Sequence, residues 1–205
     1  MWACGTNRKM PPFTNLKFIS SSLIVTFTTT STYLYNTIGS SISIDIFNLS
    51  PKSFGLLSVI NLICLLFGGL ISTKIMKIIP PIKTLYLGAL TTFFPAMLFL
   101  LFHSKIFAAT SNGWFFFSLI SVINIGLGVL YPTASFFALR SIRCSSTASS
   151  IMNFLKIGIP ALIISVLGQI HFDLIESYKY PMFIASVIAM ICTIYLNLTW
   201  RQETS

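Results

Sequence analysis

The sequence predicts an all-α, polytopic membrane protein with six transmembrane helices, and three observations carry that expectation. Of 205 residues, 55% are hydrophobic and only 8% charged, with a mean hydropathy of +0.86. So few polar side chains cannot cover a globule, and the bilayer is the expected solvent. Apolar runs lie at about 18–44, 52–73, 84–102, 114–139, 147–170 and 180–200, each close to the roughly 20 residues that cross hydrocarbon. Between them Lys and Arg are scattered singly and form no stripe with interleaved aromatics, so the net charge of +9 reads as membrane topology, without a nucleic-acid partner.

Residues 1–17 form a basic lead with Arg8, Lys9, Pro11, Pro12 and Lys17. A secretory signal begins similarly, but the run that follows exceeds the roughly 7 to 15 residues of a signal's apolar region. Residues 18–44 therefore read as the first membrane helix. It is rich in hydroxyls, and Thr26, Thr29, Tyr33, Asn36 and Ser40 follow helical spacing to make one polar stripe. Two readings stay open for that stripe: hydrogen bonding to neighbouring helices, or the lining of a water-filled cavity.

Residues 45–53 are a polar connection, in which Ser50 and Pro51 make a helix start signal, a serine cap with proline at the first helical position. The second helix carries one amide, Asn61, read as structural, and ends at Gly68 and Gly69 before a basic turn with Lys74, Lys77, Pro80, Pro81 and Lys83. Pro95 marks a kink in the third helix. His103 at its end has no carboxylate or second histidine nearby in sequence, which argues against a proton relay.

The fourth helix opens with an aromatic cluster, Trp114 to Phe117, that fits an interfacial belt. Asn124, Gly128 and Tyr131 share one face, and Pro132 bends the helix where Gly126 and Gly128 have thinned it. Arg140 and Arg143 make the next turn. The fifth helix aligns Ser149, Asn153, Lys156 and Pro160 on one face, so Gly128, Pro132 and Pro160 are the expected bend positions. The sixth is flanked by Tyr180 and Trp200 as interface anchors and followed by a short tail, residues 201–205.

Orientation follows from Lys and Arg alone. With the N-terminus inside, the inner segments hold Arg8, Lys9, Lys17, Lys74, Lys77, Lys83, Arg140, Arg143 and Arg201, against Lys52, Lys105 and Lys179 outside. Both termini are thus expected in the cytoplasm, with Asp45, Asp173 and Glu176 on the outer side. Cys4, Cys64, Cys144 and Cys192 form no CxxC spacing, so neither a disulfide nor a metal site is expected. No Ser-His, Cys-His or acid pair falls within one membrane depth, which argues against an enzyme, and no cofactor is implied.

The ordered residues resemble the C-terminal six-helix half of a major facilitator superfamily transporter, in its bicyclomycin-resistance (Bcr/CflA) drug-efflux branch. Leu49-Ser50 and Phe54-Gly55 are similar to the outer loop and start of that family's eighth helix. Gly69, Lys74 and Lys77 resemble its basic glycine motif at the cytoplasmic gate, although Thr73 stands where the full motif carries an acid. Gly128, Pro132 and Ala134, then Thr147-Ala148-Ser149 with Lys156, look like the tenth and eleventh helices, where a neutral polar residue is commoner than lysine.

The resemblance implies half of a major facilitator fold in a bacterial inner membrane. It also implies efflux of small drug-like molecules by proton antiport, with a separate N-terminal half or with a second copy of the chain. The length of the chain fits a truncated or split carrier on that reading. The alternatives are a structural or assembly membrane protein without transport, and a non-functional transporter remnant. Thr29, Tyr33, Asn36, Asn124, Tyr131, Asn153 and Lys156 are the candidate wall of a substrate cavity.

Lys156 is the sharpest of these. It lies about nine residues into its helix, roughly 14 Å along the axis, near the centre of a hydrocarbon layer about 30 Å thick. A lysine there costs about 2.5 to 3.5 kcal/mol on insertion scales and is expected to face a cavity or a carboxylate. Either it contacts a polar or anionic substrate or a carboxylate of a missing half, or it has drifted in a decaying fragment and survives through water defects.

Overall fold

The computed structural model describes residues 15–109, 113–142, 145–169 and 173–204, without the side chains of 102–109, 145–147 and 201–204. Residues 1–14 with Arg8, Lys9 and Cys4, the side chains of His103, Lys105, Thr147 and Arg201, and residues Arg143, Cys144 and Ser205 lie outside what is described. The order is α1 (Leu16–Ser41), a π turn (Ile42–Ile46), α2 (Pro51–Ile75), α3 (Pro81–Ala109), α4 (Trp114–Arg140), α5 (Ser145–Gln169) and α6 (Leu174–Thr204).

The start signal read in the sequence for α2 is formed. The Ser50 hydroxyl accepts the Ser53 N–H at 3.2 Å, with Pro51 in the first turn of α2. Pro81, expected in the basic turn, opens α3, where its missing N–H costs nothing. Helix α3 runs on to Ala109, beyond the expected end near 102, and the starts of α1 and α6 also differ. Asn15 caps α1, accepting from the N–H groups of Lys17 and Phe18, while its own amide donates to the Ser141 carbonyl at 3.0 Å and pins α1 to the end of α4. Helix α6 begins at Leu174 instead of Tyr180. Leu174, Ile175 and Tyr178 pack on an aromatic cluster, and Glu176 in the first turn complements the helix dipole. Pro181 is therefore inside the helix. Lys179, expected in an outer loop, is a helical residue at 4% exposure with its ammonium 4.4 Å from the Tyr180 ring centroid.

Among the described residues, five helices are long and apolar enough to cross a membrane: Pro51–Ile75, Pro81–Leu101, Trp114–Arg140, Ala148–Gln169 and Leu174–Trp200. The expected first span is not among them. Helix α1 has 26 residues, but its hydroxyls dilute its hydropathy, and half of it is buried by other helices. A helix surrounded by protein has less need of an apolar face toward lipid.

The packing order is not sequential. Helices α2 and α3 pack on α4, while α5 and α6 pack on α1; α1 touches α4, and α3 touches α6. Each three-helix unit thus lends its second and third helices to the first helix of the other. Helix α5 lies along α1 and meets α4 only sparsely.

The buried core divides between the two ends. One cluster gathers Phe18, Leu85, Leu130, Ala138, Met152 and Leu196; the other gathers Leu34, Ile42, Phe99, Phe116, Phe117 and Tyr178. The second is largely a ring stack, with Phe116 at 5.7 Å from Phe99, 5.3 Å from Phe117 and 5.9 Å from Tyr178. Between the clusters α1 presents its run of threonines.

Glycines set how closely α4 is approached. A Cβ on Gly128 would collide with the Leu65 carbonyl and fall 3.0 Å from the Gly68 Cα, and one on Gly68 would collide with the Ile125 carbonyl. At this crossing α2 and α4 meet backbone to backbone. One turn nearer the basic end the Ser72 hydroxyl pairs with the Thr133 hydroxyl at 3.0 Å.

Candidate functional site

The residues expected to line a cavity come from α1, α4 and α5, and the structure separates them into three groups. Tyr33, Asn36, Tyr131 and Asn153 are exposed, while Thr29 and Lys156 are part-buried. Asn124 is buried at 7% and its amide donates to the Ile120 carbonyl at 3.0 Å, inside its own helix. Although it shares a helical face with Tyr131, α4 is covered at that level by its neighbours.

The hydroxyl stripe of α1 changes character along its length. Thr26 is buried and donates to the Ser22 carbonyl at 2.8 Å; Thr29 donates to Val25 and Thr26 carbonyls; Thr30, Ser31 and Thr32 each donate one turn back. These hydroxyls satisfy themselves on the α1 backbone, which removes the cost of burying them. Beyond Thr32 the stripe becomes open, at Tyr33 and Asn36.

Tyr131 and Lys156 are brought together. The Lys156 Nζ lies 3.3 Å from the Tyr131 Oη, donating to it, and 5.7 Å from the centroid of the same ring. The contact joins α4 to α5 where the two helices otherwise meet sparsely. The phenol accepts from the ammonium, which leaves the phenolic hydrogen and two ammonium hydrogens to donate elsewhere. Asn153 lies one turn from Lys156, and Ser135 one turn from Tyr131. The Ser135 Oγ is buried and has no hydrogen-bond partner. All four acidic residues of the chain, Asp45, Asp173, Glu176 and Glu203, lie at helix ends or beyond them.

The expected bends hold two further features. Helices α4 and α5 run through Pro132 and Pro160 without interruption. Each proline withholds the N–H that would reach the carbonyl four residues earlier, those of Gly128 and Lys156. The Gly128 carbonyl faces Gly69, whose Cβ would sit 3.7 Å from it. Gly128 is thus the crossing point of α2 as well as a residue of the proline turn. Lys74 and Lys77, the other members of the expected gate motif, are exposed at the end of α2.

One polar cluster was not anticipated as a unit. The Asn61 amide donates to the Tyr35 hydroxyl at 2.9 Å and its carbonyl accepts from Ser121 at 2.8 Å, while Tyr35 and Ser58 exchange a bond at 3.3 Å. Asn61 is 4% exposed. The amide read as structural therefore ties α1, α2 and α4 together near the aromatic end. The helical spacing of Ser58 and Asn61 was the available signal; Tyr35 and Ser121 carry none on their own.

Among the described residues no three His, Cys, Asp or Glu side chains group to hold a metal ion. No protein-family model matches the chain, and no curated protein does.

Proposed function

We propose that this chain is one six-helix half of a carrier of the major facilitator type. On this reading it exports small drug-like molecules by proton antiport, in company with a second six-helix half, and α1 crosses the membrane as a sixth span. Both termini then lie in the cytoplasm of a bacterial inner membrane, where the basic helix ends meet the positive-inside rule.

The observation that carries the reading is the exchange of helices between two three-helix units, with α2 and α3 on α4 and α5 and α6 on α1. Because α1 and α4 run in opposite directions, the units are inverted relative to each other, the repeat on which each half of such carriers is built. The same exchange leaves α2 and α5 the least buried spans, and Tyr131 and Lys156 meet where α4 faces α5. That is the face a second half would cover to enclose a midplane site. The bicyclomycin-resistance resemblance adds the efflux direction and the class of cargo.

Proton coupling requires a titratable acid within the membrane, and the chain's four acids are all at helix ends. The coupling acid belongs to the other half, and this chain alone does not pump. Cells expressing only this chain are expected to show no uncoupler-sensitive efflux of a fluorescent drug-like dye. Such efflux from the isolated chain would contradict the reading. Native mass spectrometry of the chain extracted from its own membrane is expected to find a second six-helix polypeptide or a second copy bound.

A further inference from the structure

We propose that the Tyr131–Lys156 pair is a receptor for a carboxylate carried by the transported molecule, so that the cargo of this site is an organic monoanion and not a cation. The proposal rests on the carrier reading for the word cargo, but the binding itself does not.

The groups at the site are donors in excess. Lys156 spends one N–H on the Tyr131 oxygen, 3.3 Å away, which leaves the phenolic hydrogen to donate elsewhere. The Ser135 hydroxyl, one turn along α4, is buried with no partner, and Asn153, one turn along α5, is exposed. The ionisable groups that the structure brings together here are Lys156 and Tyr131, with no carboxylate between them. The four acids of the chain stand at the helix ends.

An ammonium without a counter-charge at this depth is held at a cost, and a docking oxyanion removes that cost as it makes charge-assisted hydrogen bonds to both donors. A cationic molecule meets the reverse, repulsion by Lys156 with no acceptor to offset it. A neutral amide of the same shape forms weaker bonds and leaves the charge uncompensated. The Lys156 carbonyl, which Pro160 leaves without its helical partner, is an acceptor that suits an N–H or O–H elsewhere on the same molecule.

The test uses the purified full chain in lipid nanodiscs, titrated by calorimetry with benzoate, with its neutral analogue benzamide, and with benzylammonium. Benzoate is expected to bind at least tenfold tighter than benzamide, and benzylammonium not detectably. Lys156→Gln is expected to erase the preference, Lys156→Arg, which keeps the charge and controls for folding, to retain part of it, and Tyr131→Phe to reduce benzoate affinity severalfold. Equal binding of benzoate and benzamide, or a preference that survives Lys156→Gln, overturns the proposal. If the carboxylate instead belongs to a second polypeptide, native mass spectrometry will show a complex that Lys156→Gln dissociates and benzoate cannot enter; that result overturns the assignment to the cargo. Selective benzoate binding in a protein that never transports removes the carrier reading and leaves the receptor standing.

Discussion

Replacing Gly128 with alanine tests the packing that places α2 and α4, and through them the open face. The added methyl would collide with the Leu65 carbonyl and lie 2.9 Å from the Gly69 nitrogen and 3.0 Å from the Gly68 Cα. All three obstacles are backbone, so no side chain can rotate away. The helices must separate by roughly an ångström, which loses the close contact over that crossing; overpacking of this kind costs about 1 to 3 kcal/mol. For a chain of this size a loss of 1 kcal/mol lowers the unfolding midpoint by roughly 2 to 4 °C, giving an expected fall of roughly 2 to 12 °C. The assay is thermal unfolding in detergent followed with a thiol-reactive dye, since Cys192 is buried in the folded protein at 8% exposure. Gly158→Ala is the control with the opposite sign. Nothing lies within 4 Å of a Cβ at Gly158, so the substitution is expected to gain about 0.5 to 1 kcal/mol from helix propensity. An unchanged midpoint for Gly128→Ala, or an equal loss for Gly158→Ala, would refute the reasoning.

Asn61→Leu removes the bonds to Tyr35 and Ser121, and at typical values for membrane hydrogen bonds it is expected to cost about 1 to 3 kcal/mol, with Tyr35→Phe costing less; equal midpoints for wild type and Asn61→Leu in the same dye assay would sink the network as a stabilising element. Trp200→Leu gives up the ring contact with Phe137 at 5.5 Å and the Arg140 guanidinium at 5.8 Å, an expected loss of about 1 to 2 kcal/mol; protection of α4 and α6 amides at that end, read by hydrogen exchange, should fall, and unchanged protection contradicts the clamp. In the two-half carrier proposed above, Lys156→Gln should alter transport of an anionic cargo, and transport that is unaltered in rate and pH dependence counts against the site.

Much of the fold was legible because the bilayer imposes length and composition directly. The apolar runs at 52–73, 114–139 and 147–170 match α2, α4 and α5 within a few residues, and the Ser50 cap was readable by itself. The start of α6 was expected at Tyr180, an interface anchor, yet the packing of Leu174 and Tyr178 on the aromatic cluster of Phe99 and Phe116 starts the helix six residues earlier. The π turn after α1 has no sequence signature, and residues 42–46 differ in hydrogen-bond register alone. Spacing also says which residues share a face but not what covers that face. Hence Asn124 and Tyr131 share a face by spacing, yet the packing of the other helices on α4 buries the first and leaves the second open. That Lys156 would meet Tyr131 depends on α5 leaning on α1, which no local pattern encodes.

The central claim is that Tyr33, Tyr131, Asn153 and Lys156 meet water inside the membrane, while the far side of α5 meets lipid. Lys156 and Phe154 are about 160° apart around α5, and Phe154 is 76% exposed. In a variant freed of its native cysteines, each position is replaced in turn by cysteine and treated in intact membranes with a water-soluble, membrane-impermeant thiol reagent. Labelling at positions 33, 153 and 156 with none at 154 is the predicted result. Equal labelling at 154 and 156, or no labelling at either, would contradict the account.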